Sequence, residues 1–167
     1  MYLAEPAKQT LMSIPDGPAG IGITLDYMTK FVRQYKSDPT VRNSAIEHIK
    51  LIPQKNFTGE VYALFQFVQN EIRYTWDIAD IETLQTPVVT LNNGVGDCDD
   101  KATLLAALLE SIGHKTRFVA AGFKGQDFSH VFLETRIGDN WVTLDATEPY
   151  AMGWRPPGIT STMVRHN

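Results

Sequence analysis

The sequence predicts an α+β fold in which helices come first and an antiparallel sheet follows. Apolar residues recur at helical spacing in several segments up to Gly113. Beyond that residue, short runs rich in β-branched and aromatic side chains alternate with turn residues, which is typical of strands. The chain has 167 residues, 43% of them hydrophobic, enough for one core. We therefore expect a single domain, with a helical extension over 1–57, a core over 58–150 and a tail over 151–167.

The overall composition excludes several classes of protein. The net charge of −4 is spread along the chain, so no basic surface is expected for nucleic acid. No apolar run approaches the roughly 20 residues that cross a bilayer, and the first residues lack the charged and apolar regions of a secretory signal. We expect a soluble cytoplasmic protein with neither nucleic acid nor membrane as a partner.

The first half of the chain predicts helices separated by Pro and Gly. Residues 14–22, IPDGPAGIG, have the composition of a turn, and 24–36 then carry apolar residues at helical spacing. Asp38 and Pro39 resemble the cap and first turn of a second helix that reaches about Leu51. A third helix is expected from a cap at Thr58, with a buried stripe at Val61, Leu64, Phe65, Val68 and Ile72.

A long connection precedes the clearest helix of the sequence. Residues 74–96 show little periodicity and several turn signals, a pattern more often functional than accidental. The next helix should begin near Asp97 or Cys98 and close at Gly113 in the left-handed conformation. Its apolar residues are Ala102, Leu105, Ala106, Leu108, Leu109 and Ile112.

Three strands are expected after this helix, over 116–123, 130–137 and 140–147. The last two flank Gly138 and Asp139, a two-residue hairpin signal. Residues 124–129 are predicted to be a loop, and the turn-rich tail after residue 150 is predicted to wrap the surface.

Cys98 is the only cysteine of the chain, which excludes an intramolecular disulfide and a multi-thiolate zinc site. A helix N-terminus favours a thiolate, whereas the neighbouring Asp97, Asp99 and Asp100 disfavour it by like-charge repulsion. Out of context, a lone cysteine beside an apolar helix is more often a small buried hydrophobe. A reactive thiol here therefore needs a basic partner.

His130 is the best placed of the four histidines, because it opens a strand after a loop. Its alternatives lie inside a helix, after a helix end or beside the chain terminus. If Gly138 and Asp139 form the turn, the antiparallel count places Asp145 opposite Phe132 and diagonal to His130. A carboxylate within reach of the imidazole would complete a thiol, imidazole and carboxylate triad. A one-residue slip of register would reverse the face of Asp145.

The segments GDCDDKATLLAALLESIGHKTRFV and SHVFLETRIGDNWVTLDAT resemble the core of the transglutaminase-like superfamily. The resemblance covers roughly residues 60 to 150 and implies a papain-like thiol fold, with the catalytic cysteine at the start of a central helix packed on an antiparallel sheet. It implies that Cys98 is the nucleophile, His130 the general base and then acid, and Asp145 the orienting carboxylate. IPDGPAGIGITL and ETLQTPVVTL further resemble a version encoded by bacteriophages and prophages, which implies a phage structural or bacterial protein as substrate, in the host cytoplasm.

The chemistry expected of this fold is thiol-dependent acyl transfer on peptide or carboxamide bonds. A cysteine protease or amidohydrolase is the expected type. An amine in place of water would make the same site a cross-linker. The alternative is a phage assembly or interaction module that keeps the fold without the chemistry. The Cys98 backbone N–H would hold the oxyanion together with Gln85, Trp76 or Tyr74, although Gln85 is equally suited to a structural role.

No cofactor is expected to be required, but calcium is a possibility to test. Related bacterial transglutaminase-like cysteine proteases carry acids around the cysteine and bind calcium there, and Asp97, Asp99 and Asp100 resemble that arrangement. The alternative is that Asp97 caps the helix and the other two stabilise its first turn. Trp76 and Trp141 are expected in the core rather than in the cleft, and Glu134 either at the site or in solvent.

Overall fold

The computed structural model describes residues 14–15, 17–76 and 83–167. Residues 1–13, which bear on the expected absence of a leader, and 77–82, within the predicted connection, lie outside the described residues. The described chain contains helices and strands in the order α1 (Pro18–Tyr35), α2 (Pro39–Ile49), α3 (Phe57–Glu71), β1 (Arg73–Tyr74), α4 (Pro87–Asn93), β2 (Val95–Gly96), α5 (Cys98–Ser111), β3 (Thr116–Phe123), β4 (Gln126–Ile137), β5 (Asn140–Leu144) and β6 (Ile159–His166).

Helix α5 is the centre of the fold. It contacts each of the other four helices and also strands β3 and β4. Residues 99–109 are all buried, so the helix is enclosed on every face rather than amphipathic. The main core cluster joins it to side chains of α1, α3 and the sheet, among them Leu25, Met28, Val32, Leu64, Phe65, Phe118, Leu133 and Leu144. This packing fixes the position of the α5 N-terminus, where Cys98 lies.

The first helix begins earlier than the sequence predicts. Residues 18–22 were expected in a turn, but α1 starts at Pro18. Proline suits the first helical position because its missing N–H is not needed there, and Gly17 precedes it with a positive φ of 77°. The glycines that suggest a turn are therefore accommodated inside the helix.

The next two helices lie close to their predicted positions. Asp38 caps α2 by accepting a hydrogen bond from the Thr40 N–H, as expected, and the helix ends at Ile49. Helix α3 carries the predicted buried stripe, but its cap is wrong by two residues. Asn56, rather than Thr58, accepts the hydrogen bond from the Gly59 N–H.

The predicted connection over 74–96 contains structure that the sequence analysis missed. Thr86 caps α4 through the Val89 N–H, Pro87 begins it, and Gly94 ends it in the left-handed conformation. Strands β1 and β2 pair in parallel, with Tyr74 opposite Gly96. The pairing brings the end of α3 beside the start of α5, so the segment is organised around the cysteine.

The larger sheet is antiparallel, in the order β5-β4-β3-β6. The predicted hairpin is confirmed, because Ile137 pairs with Asn140. Strand β4 starts at Gln126 instead of residue 130, so most of the predicted 124–129 loop is strand. The tail was also predicted wrongly, since residues 159–166 form β6 against β3. The α+β class with an antiparallel sheet is thus as predicted. No helix in the described ranges is long and apolar enough to cross a membrane.

Candidate active site

The N-terminus of α5 is closed by a reciprocal pair of aspartates. Asp97 Oδ1 accepts the Asp100 N–H at 3.0 Å, and Asp100 Oδ2 accepts the Asp97 N–H at 3.3 Å. Together they form a capping box. The expected cap at Asp97 is confirmed, and Cys98 becomes the first residue of the helix.

Gln85 is held by this cap rather than directed toward the cysteine. Its backbone N–H donates to Asp100 Oδ1 at 2.7 Å, and its side-chain nitrogen donates to Asp100 Oδ2 at 2.9 Å and to the Val95 carbonyl at 3.4 Å. Both amide hydrogens are thereby used. This geometry matches the structural alternative for Gln85, since no donor is left for an oxyanion.

The Cys98 thiol, at the start of α5, is partly buried and faces the backbone of Val131 in β4. Its sulfur lies 3.6 Å from Asp99 Oδ1. Burial raises the pKa of Cys98 well above its usual value, the charges of Asp99 and Asp97 raise it further, and a backbone hydrogen bond from Val131 acts in the opposite direction. These effects favour the thiol over the thiolate, so attack by this sulfur calls for a base.

His130 lies next to Val131 and is paired with Asp145. The imidazole Nε2 is 2.7 Å from Asp145 Oδ2, and Asp145 Oδ1 accepts the Thr147 N–H at 3.1 Å. The Asp145 side chain is only 2% exposed. The observed register ends at Leu133 and Leu144, one pair before Phe132 and Asp145, so the predicted neighbourhood of His130 and Asp145 is confirmed.

The carboxylate sets both the tautomer and the basicity of His130. With Nε2 donating to Asp145, Nδ1 is the ring nitrogen available to take a proton, an assignment that follows from the hydrogen-bond network. Burial alone would lower the pKa of His130, but the hydrogen bond and charge of Asp145, with smaller contributions from Glu148 and Asp99, raise it above 6.5. The ring is thus a stronger base than a free imidazole.

A bulge in strand β4 precedes His130. Ala121 pairs with His130 and Gly122 with Phe128, so Ser129 has no partner opposite it. Bulges redirect side chains and are common beside active sites. Here the bulge brings Ser129 and His130 to the same cleft. Sequence periodicity did not indicate it, since the segment was predicted to be a loop.

Lys101 is a buried cation one turn beyond Cys98. The residue is 3% exposed, and its Nζ donates to the carbonyls of Ile72 at 2.7 Å and Gln69 at 3.4 Å, at the end of α3. Burial lowers the pKa of Lys101 to about 8, and the charge of Asp145 opposes that shift. Sequence analysis did not single it out, because lysine inside an apolar helix gave no signal of a site.

A cleft of about 460 Å³ opens over the thiol. Cys98 and His130 both line it, and the remaining lining residues are Tyr74, Trp76, Phe123, Ser129, Thr147, Glu148, Trp154 and Pro156. Trp76 was expected in the core but is 81% exposed at this cleft. The cleft therefore places Cys98 and His130 among aromatic side chains.

Two other residues take positions that were not anticipated. Trp141 is half-buried and does not line the cleft. The Arg117 guanidinium carbon lies over the Trp141 ring, 4.2 Å from the ring centre. Glu134 is neither at the site nor in solvent. It is buried between Arg117, at 2.6 Å, and Arg155, also at 2.6 Å.

The three aspartates beside the cysteine have carboxylate oxygens directed to different partners. Asp97 and Asp100 use carboxylate oxygens to accept N–H groups of the cap and of Gln85, and Asp99 is directed toward the sulfur. Within the described ranges, no group of three or more His, Cys, Asp or Glu is arranged to hold a metal ion. The residues thus fit helix capping better than calcium binding.

Comparison with known proteins identifies the same region of the chain. The family model of the transglutaminase-like superfamily core matches residues 49–146, more than half of the sequence. That range contains Cys98, His130 and Asp145. No curated protein sequence matches the chain.

Solved structures of bacterial proteins share the fold. A candidate cysteine protease from Cytophaga hutchinsonii is 19% identical with a TM-score of 0.58, over 84% of this chain and 52% of that one. A candidate protease from Parabacteroides distasonis is 13% identical with a TM-score of 0.62, over 86% and 32%. LapG of Legionella pneumophila, after EGTA treatment, is 19% identical with a TM-score of 0.55, over 81% and 77%. The chain thus spans about half the length of the first structure and a third of the second.

Proposed function

This chain belongs to the transglutaminase-like superfamily, and we propose that it is a thiol-dependent acyl-transfer enzyme of the cysteine protease or amidohydrolase type. The proposal is supported by one observation: Cys98 and His130 line the same cleft, and Asp145 Oδ2 is hydrogen-bonded to the imidazole Nε2 at 2.7 Å. A nucleophile, a base and an orienting carboxylate are the parts that such a reaction requires.

The proposed reaction begins with proton transfer from the Cys98 thiol to His130 Nδ1. The sulfur attacks the carbonyl carbon of a peptide or carboxamide, and the C–N bond breaks as His130 returns the proton to the leaving amine. A thioester on Cys98 remains. His130 then takes a proton from water as the oxygen attacks the thioester, and the C–S bond breaks as His130 returns the proton to the sulfur, which releases a carboxylic acid and restores the Cys98 thiol.

The tetrahedral oxyanion needs donors that face the cleft. The Cys98 backbone N–H lies at the first position of α5, where it has no helical acceptor. Trp76 lines the cleft and makes an edge contact with Tyr74, with ring centres 5.1 Å apart, and by this proposal its indole N–H is the second donor. Gln85 is not proposed for this role, because its amide hydrogens are already donated.

One observation favours the non-catalytic alternative. The raised pKa of Cys98, caused first by burial and then by Asp99 and Asp97, is unusual for a nucleophile that must ionise. A phage assembly or interaction module that keeps the fold would tolerate such a thiol. We also propose that the protein is encoded by a bacteriophage or prophage. By this proposal it acts in the host cytoplasm on a phage structural or bacterial protein.

Alkylation kinetics separate the two functions. We expect Cys98 to react with iodoacetamide near neutral pH at least about ten-fold faster in the native protein than in His130→Ala, because the imidazole promotes thiolate formation. His48→Ala is the matched control, since His48 is exposed, hydrogen-bonds the Ser44 carbonyl, packs on Phe67 and does not line the cleft. Equal rates in the native protein and His130→Ala would refute the activated thiol and favour the interaction module.

A further inference from the structure

The cleft over Cys98 combines the reacting side chains with an aromatic and acidic lining. Four aromatic side chains line it, from Tyr74, Trp76, Phe123 and Trp154. Among the residues that line it in the described chain, Glu148 is the sole carboxylate, and no lysine or arginine lines it. Aromatic faces and a carboxylate together attract cations.

The carboxylate of Glu148 is partly buried and has no cationic side chain bonded to it in the described ranges. Its charge reaches His130, whose pKa it helps to raise. Arg155, which follows Trp154 in the chain, forms its salt bridge with Glu134 at 2.6 Å, and no salt bridge in the described ranges joins it to Glu148. A negative charge therefore remains at the cleft.

The segment that carries Glu148 and Trp154 is held in place before any ligand binds. Gln69 Nε2 donates to the backbone carbonyls of Glu148 at 2.7 Å and Tyr150 at 2.8 Å, which ties the segment to α3. Tyr150 stacks on Trp154 with ring centres 4.1 Å apart. A preformed wall of this kind binds a side chain with little ordering cost.

We infer that this cleft selects an acyl substrate with a cationic side chain, arginine or lysine, next to the bond that Cys98 attacks. The cation would lie between Glu148 and the indole rings of Trp76 and Trp154. It remains on the substrate throughout the reaction and is distinct from any amine that accepts the acyl group. The inference rests on the proposed function, because it takes Cys98 as the attacking atom.

A matched pair of reagents tests the inference on the full chain. N-acetyl-arginine chloromethyl ketone and its citrulline counterpart differ in charge but hardly in shape, and both alkylate Cys98, with modification followed by intact mass. We expect the arginine reagent to react roughly five-fold faster, as an ion pair at a partly exposed site supports. Glu148→Gln should bring the ratio close to one. Asp139→Asn, which removes a fully exposed carboxylate on the β4–β5 turn, should preserve it.

The ratio of the two alkylation rates separates recognition of the reagent's charge from a change in the basicity of His130. Any effect of Glu148→Gln on His130 changes both reagents alike, so it cancels in the ratio. A ratio near one in the native protein, or a ratio that Glu148→Gln leaves unchanged, would overturn the inference while leaving the activated thiol intact.

If neither reagent modifies Cys98, the proposed function is refuted but the cation preference is not. A binding measurement then tests that preference. In Cys98→Ala, N-acetyl-arginine amide should shift the indole N–H resonances of Trp76 and Trp154 at concentrations where the citrulline amide does not. The same variant with Glu148→Gln added should show equal shifts for both compounds. Equal binding of the two amides to Cys98→Ala would overturn the cation preference.

Discussion

The Asp99 carboxylate lies 3.6 Å from the sulfur whose ionisation it opposes. Asp99→Asn removes that charge, which is the largest cause of the raised Cys98 pKa after burial. We expect the pKa of Cys98 to fall and the alkylation rate at neutral pH to rise, by roughly ten-fold for each unit of the fall. The pH dependence of iodoacetamide alkylation measures this. Asp139→Asn should behave as the native protein, and an unchanged rate in Asp99→Asn would show that burial alone controls the thiol.

The pairing of His130 with Asp145 makes stability depend on pH in a defined direction. The folded pKa of His130 lies above 6.5, so the paired imidazolium stabilises the fold fully below the unfolded pKa, and this contribution is lost as pH rises through the folded pKa. Asp145→Asn should therefore lower the free energy of unfolding by about 1 kcal/mol more at about pH 5.5 than at about pH 9. Urea unfolding at both pH values measures the difference, and an equal loss at both would contradict it.

Calcium is predicted to have no effect at the helix start, because the oxygens of Asp97 and Asp100 already accept N–H groups of the cap and of Gln85. Calcium would have to displace these bonds. Isothermal titration at millimolar calcium should give no heat, and the melting temperature should stay unchanged. A saturable heat that Asp100→Asn abolishes would restore the calcium hypothesis.

The junction between β2 and α5 requires a glycine at position 96. A Cβ there would lie 2.7 Å from Asp100 Cβ and 3.3 Å from Thr90 Cγ2, in a place where both neighbours are buried. Gly96→Ala should therefore push Asp100 out of the cap and lower the free energy of unfolding by about 1–3 kcal/mol.

Gly22→Ala is the matched control for this element. Gly22 lies within α1, and its added Cβ would meet only Arg165 and Met163 at ordinary contact distances of 3.9 and 4.0 Å. Alanine favours a helix over glycine, so this variant should be neutral or up to about 1 kcal/mol more stable. Thermal and urea unfolding compare the two variants. A Gly96→Ala protein as stable as Gly22→Ala would show that the cap does not depend on this close approach.

For the whole molecule, the sequence predicts best where the physical signal is local. The α5 start, its Gly113 closure and the β4–β5 hairpin each depend on residues adjacent in the chain, and each is found where it was expected. The register of the hairpin was enough to place Asp145 beside His130.

The elements that were missed depend on distant partners. Strand β6 pairs with the edge of β3, and it was missed because the Gly and Pro residues just before it led to the whole tail being predicted as a surface wrap. Helix α4 has only seven residues, too few for periodicity to show, and it is stabilised by its Thr86 cap and its packing on α5. Glu148 and the Ser129 bulge can be recognised only in the folded cleft, and Lys101 only from its contacts with the end of α3, because segments far apart in sequence form both places.

Capture of the acyl-enzyme tests the central claim most directly. The native protein, mixed with p-nitrophenyl acetate and quenched in acid, should carry one acetyl group on Cys98 by mass spectrometry, removable by hydroxylamine as a thioester is. Cys98→Ala should carry none, and His130→Ala should acetylate at least about ten-fold more slowly. Release of p-nitrophenol at the same rate from the native protein and from Cys98→Ala, with no acetyl group on Cys98, would contradict the claim that this site transfers acyl groups.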